Sequence, residues 1–247
     1  MKIITSAVIK GGSGKTTTAA ALTQAAKHAG KKVLAIDLDP QGNFSFMLAA
    51  DQSQPGAVEL LHGTPAAELI QTTPQGIDII PASPDLATEK TTKGSANRLA
   101  EVLEPIKKKY NYIIIDTPPQ MGELVFNALQ AATDVIIPLE ADRGNLEGLY
   151  NIAGLINDMQ QSNPKLKPLG ILLTRYDQRP KLNQHLKEII KQKGAAEGIP
   201  YLMEIRPGIA IKEAQALQRD LFKYAPKSKP AADYAALFEM IDQKKRR

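Results

Sequence analysis

Lys10-Gly11-Gly12-Ser13-Gly14-Lys15-Thr16-Thr17 is the stretch on which the fold turns. It follows a short apolar run, Ile3–Ile9, that has the character of a strand. It opens Thr16–Ala29, an alanine-rich segment of helical pattern closed by Gly30. Strand, glycine turn and helix in that order make a cradle for phosphate. The glycines let the backbone approach phosphate oxygens and aim successive N–H groups at them. The start of the helix adds free N–H donors and a partial positive charge. On this reading Gly11, Gly12, Ser13 and Gly14 wrap the phosphates and Lys15 neutralises the β- and γ-phosphates of a nucleotide. The Thr16 hydroxyl ligates Mg²⁺, and Thr17 meets the α-phosphate. The general pattern begins with glycine where this chain has Ile9, and a second lysine, Lys10, stands at the start of the loop. The competing reading, a glycine-rich turn with two solvated lysines, requires a chance match on the order of one in a million.

Outward from this loop the chain alternates β-branched runs with helical patterns. Lys32–Asp37, Ile77–Pro81, Tyr112–Asp116, Asp134–Pro138, Leu169–Thr174 and Tyr201–Ile205 read as further strands. Asn97–Lys109, Gly122–Ala131, Leu146–Met159, Leu182–Lys193, Ile209–Leu217 and Ala231–Gln243 read as helices. Several strands are apolar on both faces, as in a parallel sheet covered by helices. The expected fold is therefore α/β, a doubly wound, mostly parallel sheet with helices on both faces, in a single domain over residues 1–247. Asp51–Gly56 and Ser83–Gly94 are polar and read as surface loops. The first strand begins at Lys2, so no extra N-terminal module is expected.

Composition narrows the function classes. Hydrophobic residues make up 43% and charged residues 23% of 247, ordinary for a globular protein, and the formal net charge of +5 is compatible with a polyanionic partner. There is no cysteine, which excludes disulfides and cysteine-held iron–sulfur clusters and suits a reducing cytoplasm. No run approaches the ~20 apolar residues of a membrane span, and no secretory leader is apparent. His28, His62 and His185 are scattered, without metal-site spacing.

Two expected strands end in carboxylates, Val33-Leu34-Ala35-Ile36-Asp37-Leu38-Asp39 and Tyr112-Ile113-Ile114-Ile115-Asp116. Ligands of parallel α/β sheets bind at the carboxyl ends of strands. Asp116 and Asp37 there would hold waters on Mg²⁺, and Asp39 would orient the water that attacks the γ-phosphate. Aspartate at a strand end is also a common turn former or helix cap.

These motifs together resemble the ParA/Soj family of deviant Walker A ATPases, P-loop proteins related to MinD. The family form Lys-Gly-Gly-x-Gly-Lys-Thr-Thr is matched at every fixed position. Asp37-Leu38-Asp39-Pro40-Gln41-Gly42-Asn43 resembles its switch I. Asp116-Thr117-Pro118-Pro119 resembles its Walker B and switch II, with Asn127-Ala128-Leu129 at the expected distance. Pro81–Leu86 and Gly170–Asp177 resemble further family segments, so the likeness spans nearly the whole chain. The resemblance implies an ATP- and Mg²⁺-dependent ATPase that segregates a plasmid, mobile element or chromosome. It implies a dimer sandwiching two ATP molecules, with Lys10 reaching the partner's nucleotide, and catalysis by Asp39, Lys10 and Lys15. It implies non-specific DNA binding, stimulation by a ParB-like centromere-binding protein, and a cytoplasmic, nucleoid-associated location. The family's Ile-Pro-Arg segment is here Ile205-Arg206-Pro207-Gly208, which places an adenine-contacting backbone around Pro207. A basic residue that some relatives use for DNA aligns with Ala210, and Lys212 lies two positions on.

A DNA surface needs clustered Lys and Arg. The last third offers Arg179, Lys181, Lys187, Lys191, Lys212, Arg219, Lys223, Lys227 and Lys229, with the tail Lys244-Lys245-Arg246-Arg247. Lys212, Arg219 and Lys223 are the residue-level candidates, and an ordinary solvated face is the competing reading. The alternative function is a MinD-like membrane-associated positioning ATPase, anchored by a C-terminal helix with the stripe Tyr234, Leu237, Phe238 and Ile241. Asp233, Glu239 and Asp242 on that segment would repel an anionic membrane, so packing on the domain and no stable membrane association are expected.

Overall fold

The computed structural model describes residues 1–88, 97–142 and 144–245. In chain order the elements are β1 (Lys2–Ser6), α1 (Lys15–His28), β2 (Val33–Asp37), α2 (Asn43–Met47), α3 (Ala57–His62), α4 (Ala66–Leu69), β3 (Gln71–Thr72), β4 (Asp78–Ile80), α5 (Arg98–Leu103), β5 (Tyr112–Asp116) and α6 (Glu123–Ala131). There follow β6 (Asp134–Leu139), α7 (Gly144–Ser162), β7 (Lys167–Leu173), α8 (Lys181–Ala196), β8 (Tyr201–Glu204), α9 (Ile209–Ala216), α10 (Leu221–Tyr224) and α11 (Lys229–Lys245).

One eight-stranded sheet has the order β3-β4-β2-β5-β1-β6-β7-β8. Every neighbouring pair is parallel except β3 with β4. The expected doubly wound, mostly parallel sheet is thus the one observed. Alternation along each strand divides the core into two layers. Ile4, Val33, Ala35, Tyr112 and Ile114 pack with α1, α2 and α9 to α11, while Ile3, Leu34, Ile36, Ile113 and Ile115 pack with α3 to α6. Val135, Ile137, Ile171 and Leu173 extend that second layer beneath α7 and α8. Both faces of the sheet are therefore dry, which accounts for the unbroken apolar runs.

α1 is buried along most of its length because Ala19, Ala20, Ala21, Ala25 and Ala26 are small enough to let it lie close to the sheet. α11 covers it, with Tyr234, Leu237, Phe238 and Ile241 at most 4% exposed. Phe238 meets Tyr112 edge-on at 5.2 Å, and Asp242 takes hydrogen bonds from Tyr112 and Lys31 at 2.6 and 2.9 Å. The apolar stripe of the last helix is a packing face, as its acidic flanks led us to expect.

Where helix is expected over Asn97–Lys109, α5 stops at Leu103 and only a 3-10 turn, Lys107–Lys109, follows. Pro105 intervenes, and a proline cannot donate its backbone N–H or fit inside a helix. Four short helices, α2, α3, α4 and α10, and the two-residue β3 have no counterpart in the periodicity, being too short to show one. Pro84–Ala87 forms a 3-10 turn within the expected loop Ser83–Gly94, whose residues 89–94 lie outside the described residues.

Candidate functional site

β1, β2 and β5 lie side by side, and their carboxyl ends meet the start of α1. A cavity of about 610 Å³ opens there, lined by the whole loop Gly11–Thr17 and by Asp39, Thr174, Arg175, Pro207, Lys212 and Tyr234 among others. The loop is a built structure. Gly12 and Gly14 have φ of 76° and 91°, in the left-handed region that favours glycine. The Lys10 carbonyl accepts from Lys15 Nζ at 3.0 Å and from Ser13 Oγ at 3.4 Å. Gly14 occupies the N-cap of α1 with no side chain over it, and no acidic residue stands in the first turn, so the helix's free N–H groups go uncapped by the protein.

The carboxylates divide by environment. Asp37 and Asp116 are directly opposed on neighbouring strands, and both are fully buried. Asp37 Oδ1 accepts the Asp39 N–H at 3.0 Å, and Oδ2 accepts the N–H and hydroxyl of Ser45 at 2.8 and 2.7 Å. It shapes the turn from β2 into α2. Burial nonetheless pushes its carboxyl up to about 6. Asp116 is raised well above the usual carboxylate range by burial and by Asp37. Neither Asp116 oxygen has a hydrogen-bond partner among the described residues. The neighbouring Thr16 hydroxyl and the Lys15 ammonium help its charge without closing such a bond. Lys15, itself buried, is held below the usual lysine range by desolvation, against the pull of Asp116 and Asp39. Asp39 is 7% exposed on the cavity wall, its Oδ1 taking the Gln41 N–H at 3.1 Å.

An orphaned buried carboxylate beside a threonine hydroxyl and a phosphate-sized cradle fits Mg²⁺, which keeps most of its waters and takes one or two carboxylates. Among the described residues no three His, Cys, Asp or Glu side chains converge to hold a metal directly, consistent with such a water-rich site. Asp37 is the poorer donor of the expected pair, since its oxygens are engaged.

Lys10, at the start of the loop, does not line the cavity; it is half-exposed, 3.6 Å from Asp142. The Thr17 hydroxyl accepts from Gln215 Nε2 at 3.0 Å. Pro207 is exposed on the cavity wall, in a segment fixed by Arg206, whose backbone N–H and guanidinium bond Asp233 at 2.6–3.1 Å. Of the three DNA candidates, Lys212 lines this same cavity, while Arg219 and Lys223 are exposed and do not line it. Arg246, Arg247 and the side chains of Lys244 and Lys245 lie outside the described residues. Sequence patterning gave Thr174, Arg175, Tyr234 and Gln215 no part in the site, although Thr174 and Arg175 lie in the segment Gly170–Asp177 and Tyr234 in the stripe of the last helix; the fold brings all four to the cavity. Among the described residues, no helix is long and apolar enough to cross a membrane.

A family model described as an AAA domain matches residues 1–168. The chromosome partitioning protein ParA of Myxococcus xanthus is 35% identical, over 92% of this chain and 83% of its own. The chromosome-partitioning ATPase Soj of Thermus thermophilus is 34% identical, over 94% and 92%. Among solved structures, cobyrinic acid a,c-diamide synthase from Mycobacterium smegmatis, bound to an ATP analogue and magnesium, superposes with a TM-score of 0.85 at 30% identity, covering all of this chain and 96% of that one. A fold hosts several chemistries, and here the named sequence relatives decide between them. With its glycine loop matched at every fixed position and relatives of that name along nearly its full length, the chain belongs to the ParA/Soj family of partitioning ATPases.

Proposed function

We propose that residues 1–247 act as one Mg²⁺-dependent partition ATPase, whose ATP-bound dimer binds DNA without sequence preference and is released when a centromere-bound partner stimulates hydrolysis. The observation that carries this reading is the fully buried Asp116 carboxylate, left without a hydrogen-bond partner beside Thr16 and Lys15 at the start of α1. Gly11 to Gly14 bind the β- and γ-phosphates through backbone N–H groups, Lys15 neutralises them and Thr17 exchanges Gln215 for the α-phosphate. Pro207 and its neighbours border the adenine. Thr16, with Asp116 and more weakly Asp37 through water, holds the metal, which when bound supplies charge neutralisation across the phosphates. Asp39 has one oxygen tied to Gln41, and the other accepts a hydrogen bond from the attacking water and aligns it. Lys10 leaves Asp142 for the nucleotide of a second copy. Dimerisation then depends on ATP, because only the triphosphate of the partner replaces the lost ion pair.

The test is Asp39→Ala. This variant should bind ATP, hydrolyse it at least about a hundredfold more slowly, accumulate as a dimer in size-exclusion chromatography and stay on DNA for as long as ATP is present. Normal turnover by that variant, or DNA binding indifferent to ATP, contradicts the proposal.

A further inference from the structure

Two consecutive residues beyond the end of β7 grip two consecutive carbonyls of the glycine loop. The Thr174 hydroxyl donates to the Ser13 carbonyl at 2.8 Å, and the Arg175 guanidinium donates to the Gly12 carbonyl. Thr174 Oγ1 also lies 3.3 Å from the Leu139 carbonyl, but that oxygen already takes the Thr174 N–H at 2.7 Å, so the shorter contact claims the hydroxyl proton. The same guanidinium nitrogen also pairs with the Glu140 carboxylate. Arg175 has φ 50°, in the left-handed region that non-glycine residues seldom adopt. Its neighbours impose this. The Leu173 carbonyl accepts from Ile205 at 2.7 Å, and the Tyr176 N–H donates to Ile205 at 2.9 Å, so the chain is pinned on both sides of the strained residue.

A trans peptide is planar, with its N–H opposite its C=O. No cis peptide occurs in the described chain. Holding the carbonyls of Gly12 and Ser13 toward β7 therefore turns the N–H groups of Ser13 and Gly14 the other way, toward the phosphate position. The Thr174 side chain also closes the space beside Gly14, where an added Cβ would stand 3.1 Å from its Cγ2. We propose that Thr174 and Arg175 are positioning residues which set the glycine loop in its anion-binding shape before nucleotide arrives, so that binding does not have to order it. The inference deepens the nucleotide reading above and rests on it.

Titration of ADP by calorimetry, alongside thermal melts without ligand, tests the pair. Thr174→Val should weaken ADP about tenfold, because it leaves the Ser13 carbonyl without its donor, and Thr174→Ser should restore the affinity. Arg175→Gly relieves the strained φ, so its Tm should not fall, yet its ADP affinity should drop about fivefold with the lost charged hydrogen bond. The opposite movement of affinity and Tm is something a merely structural role would not produce. Wild-type affinity in both Thr174→Val and Arg175→Gly overturns the inference, as does a loss that only tracks Tm and is not restored by serine. A wild-type chain that binds no ADP removes the nucleotide reading and this inference with it.

Discussion

At the scale of single residues, the site is held in an unfavourable arrangement that a ligand would relieve. Two carboxylates, Asp37 and Asp116, are opposed on adjacent strands, both fully buried. Both are raised in the folded state, Asp37 to about 6 from its ordinary 3.8. A carboxyl raised by folding contributes stability only while it is protonated. Its contribution is complete below the unfolded value near 4 and is lost as pH rises through about 6. Nucleotide-free protein in EDTA should therefore lose stability between pH 4 and pH 7, by an amount on the order of 1–3 kcal/mol. Asp116→Asn removes one of the two opposed buried acids. Its melting temperature at pH 7.5 should exceed the wild type's by about 5 °C, and its pH profile should flatten, even as ATP hydrolysis is lost. A variant that melts below the wild type at pH 7.5 would show that the two groups do not oppose each other.

At the scale of elements, α11 decides between packing and membrane anchoring. Its stripe lies against α1, Phe238 meets Tyr112 edge-on, and the Tyr234 hydroxyl lies 3.3 Å from that of Thr18, one turn into α1. Leu237→Ala should cost about 2–5 kcal/mol in chemical denaturation, whereas a helix that leaves the domain for lipid would barely register the change. The sheet and its long helices were legible because each strand carries its own apolar run and each long helix its own period. β3, as the pair Gln71 and Thr72, and the helices α2 to α4 were not, because two to six residues cannot display a period. Pro105 was a readable break within Asn97–Lys109 that the surrounding helical pattern masked. The glycine loop was legible because its chemistry is contiguous. Its supports were not. Thr174 reaches Ser13 across 161 positions, Gln215 reaches Thr17 across 198, and Tyr234 meets Thr18 across 216. Only the strand order brings such pairs together, and nothing in local sequence encodes it.

At the scale of the whole molecule, a net charge of +5 and exposed cations at Arg219 and Lys223 support the proposed polyanion partner. Lys212 lies on the nucleotide cavity wall, so substitution there should alter ATP binding as well as DNA binding. If the ATP-bound dimer neutralises about four phosphates, DNA affinity should fall roughly a hundredfold between 50 and 200 mM salt. A gel-shift series across that range checks the slope, and a flat response would speak against an electrostatic surface.

Every role proposed for this protein depends on a nucleoside triphosphate sitting in the cradle formed by residues 10 to 17 at the ends of β1, β2 and β5. Calorimetric titration of Mg-ATP into the wild type and Lys15→Ala tests it most directly. The wild type should bind one ATP per chain, and Lys15→Ala should bind none detectably while melting cooperatively. Equal affinity in the two proteins would contradict the claim.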